Sequence, residues 1–331
     1  MKTFVQKFNA TFGADMGGPV IAFVAVMLIF GLAADNFLSL ATFGSVAFQL
    51  PELGLLTLAM LLPLLTGGIN LSITFTANLA GLAAAWVLQA HGGADASVSV
   101  FLLACLAALA TGAAAGALTG VAIAFTRAHP ILVTLSMMIF LRGLGEFLTR
   151  GGDVSGFPAY VAPIGHGSLL GLPIPLLIFI VCVAVWHVLL RRSKLGFGLL
   201  MIGSNMEAAN YSGLNTRKIV VLVYTLSGIM CAVAGIIMLA RFNSVRVGHG
   251  ESYLLITVLA AFLGGVNPFG GFGRVLPVFV ALVVLQLLSS GLNLMGANQH
   301  LATALWGVLM IVVMAARTLA SNYRFFKRKK A

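Results

Sequence analysis

The chain has 331 residues, of which 60% are hydrophobic and 8% charged, with a formal net charge of +11 and a mean hydropathy of +1.07. Soluble domains carry about 25% charged residues, so an ordinary globular enzyme is excluded. The basic residues sit in short loops and at the tail instead of on one amphipathic face, a pattern that speaks for lipid as a partner and against nucleic acid.

About 20 apolar residues cross about 30 Å of hydrocarbon. Apolar runs between polar or Gly/Pro breaks predict ten helices, near residues 18–35, 43–66, 70–91, 97–125, 129–149, 169–190, 217–240, 253–267, 275–293 and 299–320. The expected fold class is therefore all-α, a polytopic integral membrane protein with about ten transmembrane helices, eight being the alternative, in one unit over 1–331. The first run follows Lys2 and Lys7 with no small-residue cleavage site behind it, and reads as a retained span. Pro51, Glu52 and Pro63 interrupt the second run, and Gly264-Gly265 stop the eighth before it could cross; these two are the weakest. In the fourth, Gly112, Gly116 and Gly120 recur every four residues, the spacing that lets two helix backbones approach closely. Cys105, Cys182 and Cys231 lie singly in apolar runs, so neither a disulfide framework nor a metal site is expected. With a cytoplasmic amino terminus, ten spans place fifteen of the nineteen Lys and Arg residues inside, leaving Arg142, Arg150, Arg241 and Arg246 on or near the outer side. Both termini are then cytoplasmic, as they are with eight spans.

No phosphate loop, H-E-x-x-H or G-x-S-x-G occurs, so nucleotide hydrolysis, metalloprotease and serine-hydrolase chemistry have no signature here. The informative stretch is Leu65-Thr66-Gly67-Gly68-Ile69-Asn70-Leu71-Ser72, followed by Thr74, Thr76 and Asn78. Two glycines free the backbone, and the amides and hydroxyls after them are expensive in lipid unless they face protein or water. Two readings stay open: a broken helix aiming polar groups into a passage, or Asn70 and Ser72 capping a helix at the membrane surface. His91, His129, His166 and His300 fall at span ends, where solvated interface residues are expected. Glu146 is placed to pair with Arg142 or Arg150.

That stretch resembles the T-G-G-I-D-L-S-V signature of the ribose/xylose/simple-sugar branch of ABC permeases, and the resemblance runs through nearly the whole chain. Asn36-Phe37, Gln49, Leu141-Arg142-Gly143, Gly203-Ser204-Asn205-Met206-Glu207-Ala208-Ala209 with Ser212-Gly213-Leu214-Asn215, Gly264-Gly265, Gly270-Gly271-Phe272-Gly273-Arg274 and Gly291-Leu292-Asn293-Leu294-Met295-Gly296 follow in the same order and spacing. On its own chemistry, Glu207-Ala208-Ala209 favours a short helix that Gly213 can end in the left-handed conformation, within a basic loop at about 191–217. The resemblance implies that Asn205, Glu207, Ala208, Ala209, Gly213 and Asn215 form the coupling segment that docks on the ATP-binding subunit. Gln49, Thr66, Asn70, Ser72, Asn78 and Asn293 are the expected pathway residues. The Gly265–Arg274 turn reads as structural, since no strand precedes it.

The resemblance implies a permease of a bacterial inner-membrane importer for a sugar or sugar-like solute. Its implied partners are an ABC ATP-binding subunit, a periplasmic substrate-binding protein and a second permease chain, identical or not. No cofactor is expected in this chain, ATP and Mg belonging to the partner ATPase. The chain departs from the pattern at Asn70, where the family usually has Asp, and at Tyr253-Leu254-Leu255-Ile256, which lacks the acidic residues some relatives carry. Asn keeps an acceptor and adds a donor, so the solute is what this change bears on. The alternative function, an ion-coupled secondary transporter, needs an intramembrane carboxylate, for which only Glu52 and Glu146 qualify. A membrane enzyme would need a nucleophile and base in matched positions, and none is seen.

Overall fold

A computed structural model describes residues 16–126, 128–298 and 301–315. In chain order its helices are α1 (Gly17–Ala33), α2 (Leu40–Leu65), α3 (Ile73–Ala90), α4 (Val98–Thr126), α5 (Pro130–Thr149), α6 (Ala162–His166), α7 (Ile174–Arg192), α8 (Lys194–Ser204), α9 (Met206–Tyr211), α10 (Thr216–Phe242), α11 (Tyr253–Leu263), α12 (Val275–Leu294) and α13 (Leu301–Ala315). Two antiparallel pairs of two-residue strands, β1 (Val154–Ser155) with β4 (Ser244–Val245) and β2 (Ser168–Leu169) with β3 (Leu172–Pro173), tie loops together at one end. The expectations placed on Lys2, Lys7, Arg127, His300 and the tail beyond residue 315 lie outside the described residues.

Each of the ten predicted runs contains one of these helices, but 7 of them, α2, α3, α4, α5, α7, α10 and α12, are long and apolar enough to cross a membrane. α11 has 11 residues, a rise of only about 16 Å, and stops at Gly264 before Gly265 turns to φ 89°. It is nonetheless sheathed by α2 and α12. Thr257, Val258, Leu259, Ala260 and Ala261 are buried, so the C-terminal half of this short helix meets protein rather than lipid.

The second run was expected to be weak, and it is instead the most buried span of the molecule. α2 passes through Pro51 and Pro63 without a break. A proline lacks the amide proton that would reach four residues back, and at Pro63 a neighbouring helix supplies the missing donor. Ser227 Oγ on α10 donates to the Ala59 carbonyl at 2.7 Å, the one that Pro63 leaves open. Trp186 Nε1 on α7 donates to Leu58 O at 3.2 Å. Near Pro51, Arg241 Nη1 donates to Phe48 O at 3.2 Å.

α4 and α10 form the closest helix pair. A Cβ on Gly112 would strike the Gly228 carbonyl, one on Gly116 the Tyr224 carbonyl, and one on Gly120 would come within 2.8 Å of the Val221 Cα. The glycine spacing thus finds its partner inside the chain. The other face of α4, with Leu102, Leu106, Leu118 and Val121, is exposed, as a lipid-facing surface would be.

The loop at 191–217 contains more structure than its sequence suggested. Ser193 Oγ caps α8 by accepting from the Gly196 amide at 2.9 Å, and Gly203 at its far end presses on the Leu65 carbonyl and the Gly271 amide. The Gly271 amide itself donates to Leu65 O at 2.9 Å. α8, α9, the 264–274 turn and the end of α2 therefore share one end of the bundle. Arg191, Arg192, Lys194, Arg217, Lys218 and Arg274 gather at that end, while Arg150, Arg241 and Arg246 lie towards the other.

Gly116→Leu should drive a side chain into α10 and lower the thermal midpoint in detergent by the equivalent of about 3 kcal/mol. Gly307→Ala, where a Cβ meets open space, should leave it unchanged. Equal melting of the two variants would show that α4 and α10 do not approach this closely.

Candidate functional site

At the basic end, α9 is defined by its caps. Asn205 Oδ1 accepts from the Ala208 amide at 2.9 Å, and Glu207 lies in the first turn, where the helix dipole favours a carboxylate. At the other end the Gly213 amide bonds Asn210 O at 3.0 Å and the Leu214 amide bonds Ala209 O at 3.2 Å. With Gly213 at φ 82°, this is the paired hydrogen-bond pattern of a left-handed helix stop. Asn215 then caps α10, accepting from the Lys218 amide at 3.0 Å. Ala209 is the buried foot of α9, whereas Met206, Glu207, Ala208 and Tyr211 are exposed. Phe269 and Phe272, on the turn that abuts α8, are exposed at the same end of the bundle.

The Thr66–Ser72 stretch links α2 to α3, with Gly68, Asn70 and Ser72 buried in it. Asn70 Nδ2 donates to Ser227 Oγ at 3.0 Å, while Asn70 Oδ1 accepts from the Ser72 amide at 3.1 Å and its hydroxyl at 2.8 Å. Ser227 lies near the middle of the 27-residue α10, so this junction sits deep in the bundle rather than at its surface. Thr134 Oγ1 donates to Ile69 O at 2.8 Å, and Thr66 Oγ1 to Pro63 O at 2.7 Å. Asn78 is buried on α3, its Nδ2 unpaired among the described residues.

α5 carries charges on an open face. Arg142 Nε lies 2.9 Å from Glu146 Oε1, and Arg142 Nη1 lies 3.1 Å from Glu251 Oε1. All three side chains are about half exposed, and the guanidinium sits 5.6 Å from the centre of the Phe75 ring. Of the two partners open to Glu146 in the sequence, the fold selects Arg142. Arg142 is seven residues from the end of α5, about 10 Å below it. Beyond the triad, burial first and then the Arg246 guanidinium hold His249 below the usual imidazole range, with Asp153 acting in the opposite sense.

At the end opposite α9, a cavity of about 230 Å³ lies between α2, α11, α12 and α13. Gln49 and Asn293 both line it. Gln286, which the sequence reading passed over, donates from Nε2 to Gln49 Oε1 at 3.0 Å, and Gln49 Nε2 donates to Ser45 Oγ at 2.8 Å. Tyr253 borders the same space and turns its hydroxyl to Glu52 Oε2 at 3.3 Å. Glu52 is 0% exposed and faces Arg241 Nη1 at 3.0 Å. Both carboxylates that an ion-coupled carrier could use are thus paired with arginine. The only sequence signal for the Glu52–Arg241 pair was a charge inside one apolar run and another at the end of a second. Thr66, Asn70, Ser72 and Asn78 do not reach this cavity.

A family model described as branched-chain amino acid transport system / permease component matches residues 42–314. The chain belongs to that family. The ribose import permease protein RbsC of Escherichia coli is 33% identical to this permease over 300 residues, covering 89% of this chain and 91% of the relative. The autoinducer 2 import system permease protein LsrD of Yersinia enterocolitica is 29% identical over 312 residues, with 91% and 92% covered. The same-named protein of Yersinia pseudotuberculosis is 28% identical over 318 residues, with 93% of each chain covered. No solved structure matches. The resemblance read from the motifs is thereby established, and the protein is a multi-pass membrane permease.

Arg241→Met should leave Glu52 buried without its counter-charge and cost about 3–5 kcal/mol, read as a lowered thermal midpoint in detergent. Adding Glu52→Leu should recover most of the loss. Were Arg241→Met to melt with the parent, the buried pair would not be what holds α2 to α10 at this end.

Proposed function

We propose that the chain is the permease subunit of a bacterial inner-membrane ABC importer, moving a sugar or sugar-like solute. In this reading ATP and Mg are bound and used by a separate ATPase, a periplasmic binding protein delivers the solute, and a second permease chain completes the passage. The observation that carries it is α9: a short helix stopped at both ends, standing on one buried alanine, with Met206, Glu207 and Tyr211 exposed at the same end of the bundle as Phe269. A rigid, protruding, partly apolar helix at the basic end of a membrane bundle is a docking element for another protein.

The basic clusters beside it favour a cytoplasmic location for that end, and in this reading, with ten spans or partial spans, both termini share that side. The solute class follows the relatives, whose names print ribose and autoinducer 2. The α5 triad supports a second chain. Charges this far from a helix end do not face hydrocarbon, so the Arg142 face of α5 meets a water-filled passage or another subunit. The pathway holds solute weakly, because only differential affinity between its states drives release.

Gly213→Pro imposes φ of about −65° where +82° is needed. It should reduce solute-stimulated ATPase activity of the assembled importer at least about tenfold, a coupling loss of about 1.4 kcal/mol. Glu207→Ala should act in the same direction. Normal stimulation in both proteins, each still inserted in the membrane, would rule out α9 as the coupling element.

A further inference from the structure

The cavity at the end opposite α9 is lined by α2, α11, α12 and α13 of one chain, and α5 takes no part in it. Its walls have a specific chemistry. Gln286 is buried, and after donating to Gln49 it keeps Oε1 and a second N–H. Asn293 adds an amide, Ser289 a hydroxyl, and the buried Trp306 a flat apolar wall. Among the described residues no Lys, Arg, Asp or Glu lines the space. Glu52 stands behind Tyr253, and its charge is already met by Arg241.

We propose that this cavity is a solute subsite within a single chain, taking one neutral polyol or monosaccharide. The proposal rests on the importer reading above, which places this end on the outer side. Amides that both donate and accept match a ring of hydroxyls, while an indole face suits the C–H side of a sugar. A volume of about 230 Å³ equals about eight waters at about 30 Å³ each, room for one small sugar in their place. An α-amino acid, although named in the family description, would bring an ammonium and a carboxylate into a cavity with no counter-charge for either. A phosphorylated sugar fails for the same reason. The subsite is thus a neutral station within one chain, apart from the charged face of α5.

The test uses intact cells expressing the full chain with Ser289→Cys and a charged, membrane-impermeant methanethiosulfonate; the unaltered chain sets the background from Cys105, Cys182 and Cys231. Ser289→Cys should be modified from outside. At least one of ribose, xylose, glucose and glycerol, titrated to saturation, should slow the modification about fivefold or more, as occupancy at about four times the dissociation constant requires. Leucine should not. Gln286→Leu in the same chain should leave modification intact and remove the protection. No modification of a cysteine that labels after denaturation, no protection by any of the four, or equal protection by leucine would each overturn the subsite. Ala208→Cys is labelled in parallel. Labelling of Ala208→Cys only after permeabilisation leaves the coupling reading standing whatever Ser289→Cys does, whereas labelling from outside overturns that reading by itself.

Discussion

Every backbone group buried in this bundle needs a partner from protein, because hydrocarbon offers none. α2 concentrates that requirement: it is the most buried span, and two prolines remove donors from inside it. Ser227 supplies a donor to Ala59 O, the carbonyl that Pro63 leaves open, and Trp186 and Arg241 add donors at Leu58 O and Phe48 O. These bonds tie α2 to α7 and α10, and those helices can occupy only positions from which their donors reach. Ser227 serves twice, since the hydroxyl that donates to Ala59 also accepts from Asn70 and fixes the turn into α3.

α10 is the element through which the ends communicate. It begins at Thr216, directly after the helix stop that ends α9, and ends at Phe242, next to the arginine that holds Glu52. Along its length it carries the glycine contact with α4, then Ser227, then Arg241. A displacement at α9 therefore acts on a long, packed helix whose far end borders the polar cavity through Glu52 and Tyr253. Asn70 has a role in the same frame. Its amide nitrogen donates to a serine hydroxyl, which an aspartate could not do unless protonated, so Asn at this position matches the network around it.

The helices, their order and the caps of α9 were legible in the sequence because they depend on residues a few positions apart. The apolar runs, Glu207-Ala208-Ala209, and Gly213 two residues after Tyr211 are local signals. The glycine repeat of α4 was legible as a close-packing face for the same reason, although its partner was not. Membership in the permease family was likewise carried by motifs in register. The weakness assigned to α2 came from treating prolines as local breakers, when donors far away in sequence restore the helix. α8 lay inside what read as a basic loop, yet its glycines are small so that it can fold back on the end of α7 at Gly196, meet Ile219 at Gly198 and lie against Leu65 and Gly271 at Gly203.

Composition and periodicity determined that this chain is an all-helical membrane protein with its charge gathered in loops, because the bilayer selects on each segment separately. Only the tertiary structure decided which polar residues meet. Asn70 and Ser227 are separated by 157 positions, Gln49 and Gln286 by 237, and Glu52 finds Arg241 from the opposite half of the chain. A single apolar run does not reveal which buried amide or carboxylate it will face, since that depends on how helices pack side by side. Packing in turn follows from close glycine contacts and from the need to satisfy each buried polar group within the protein.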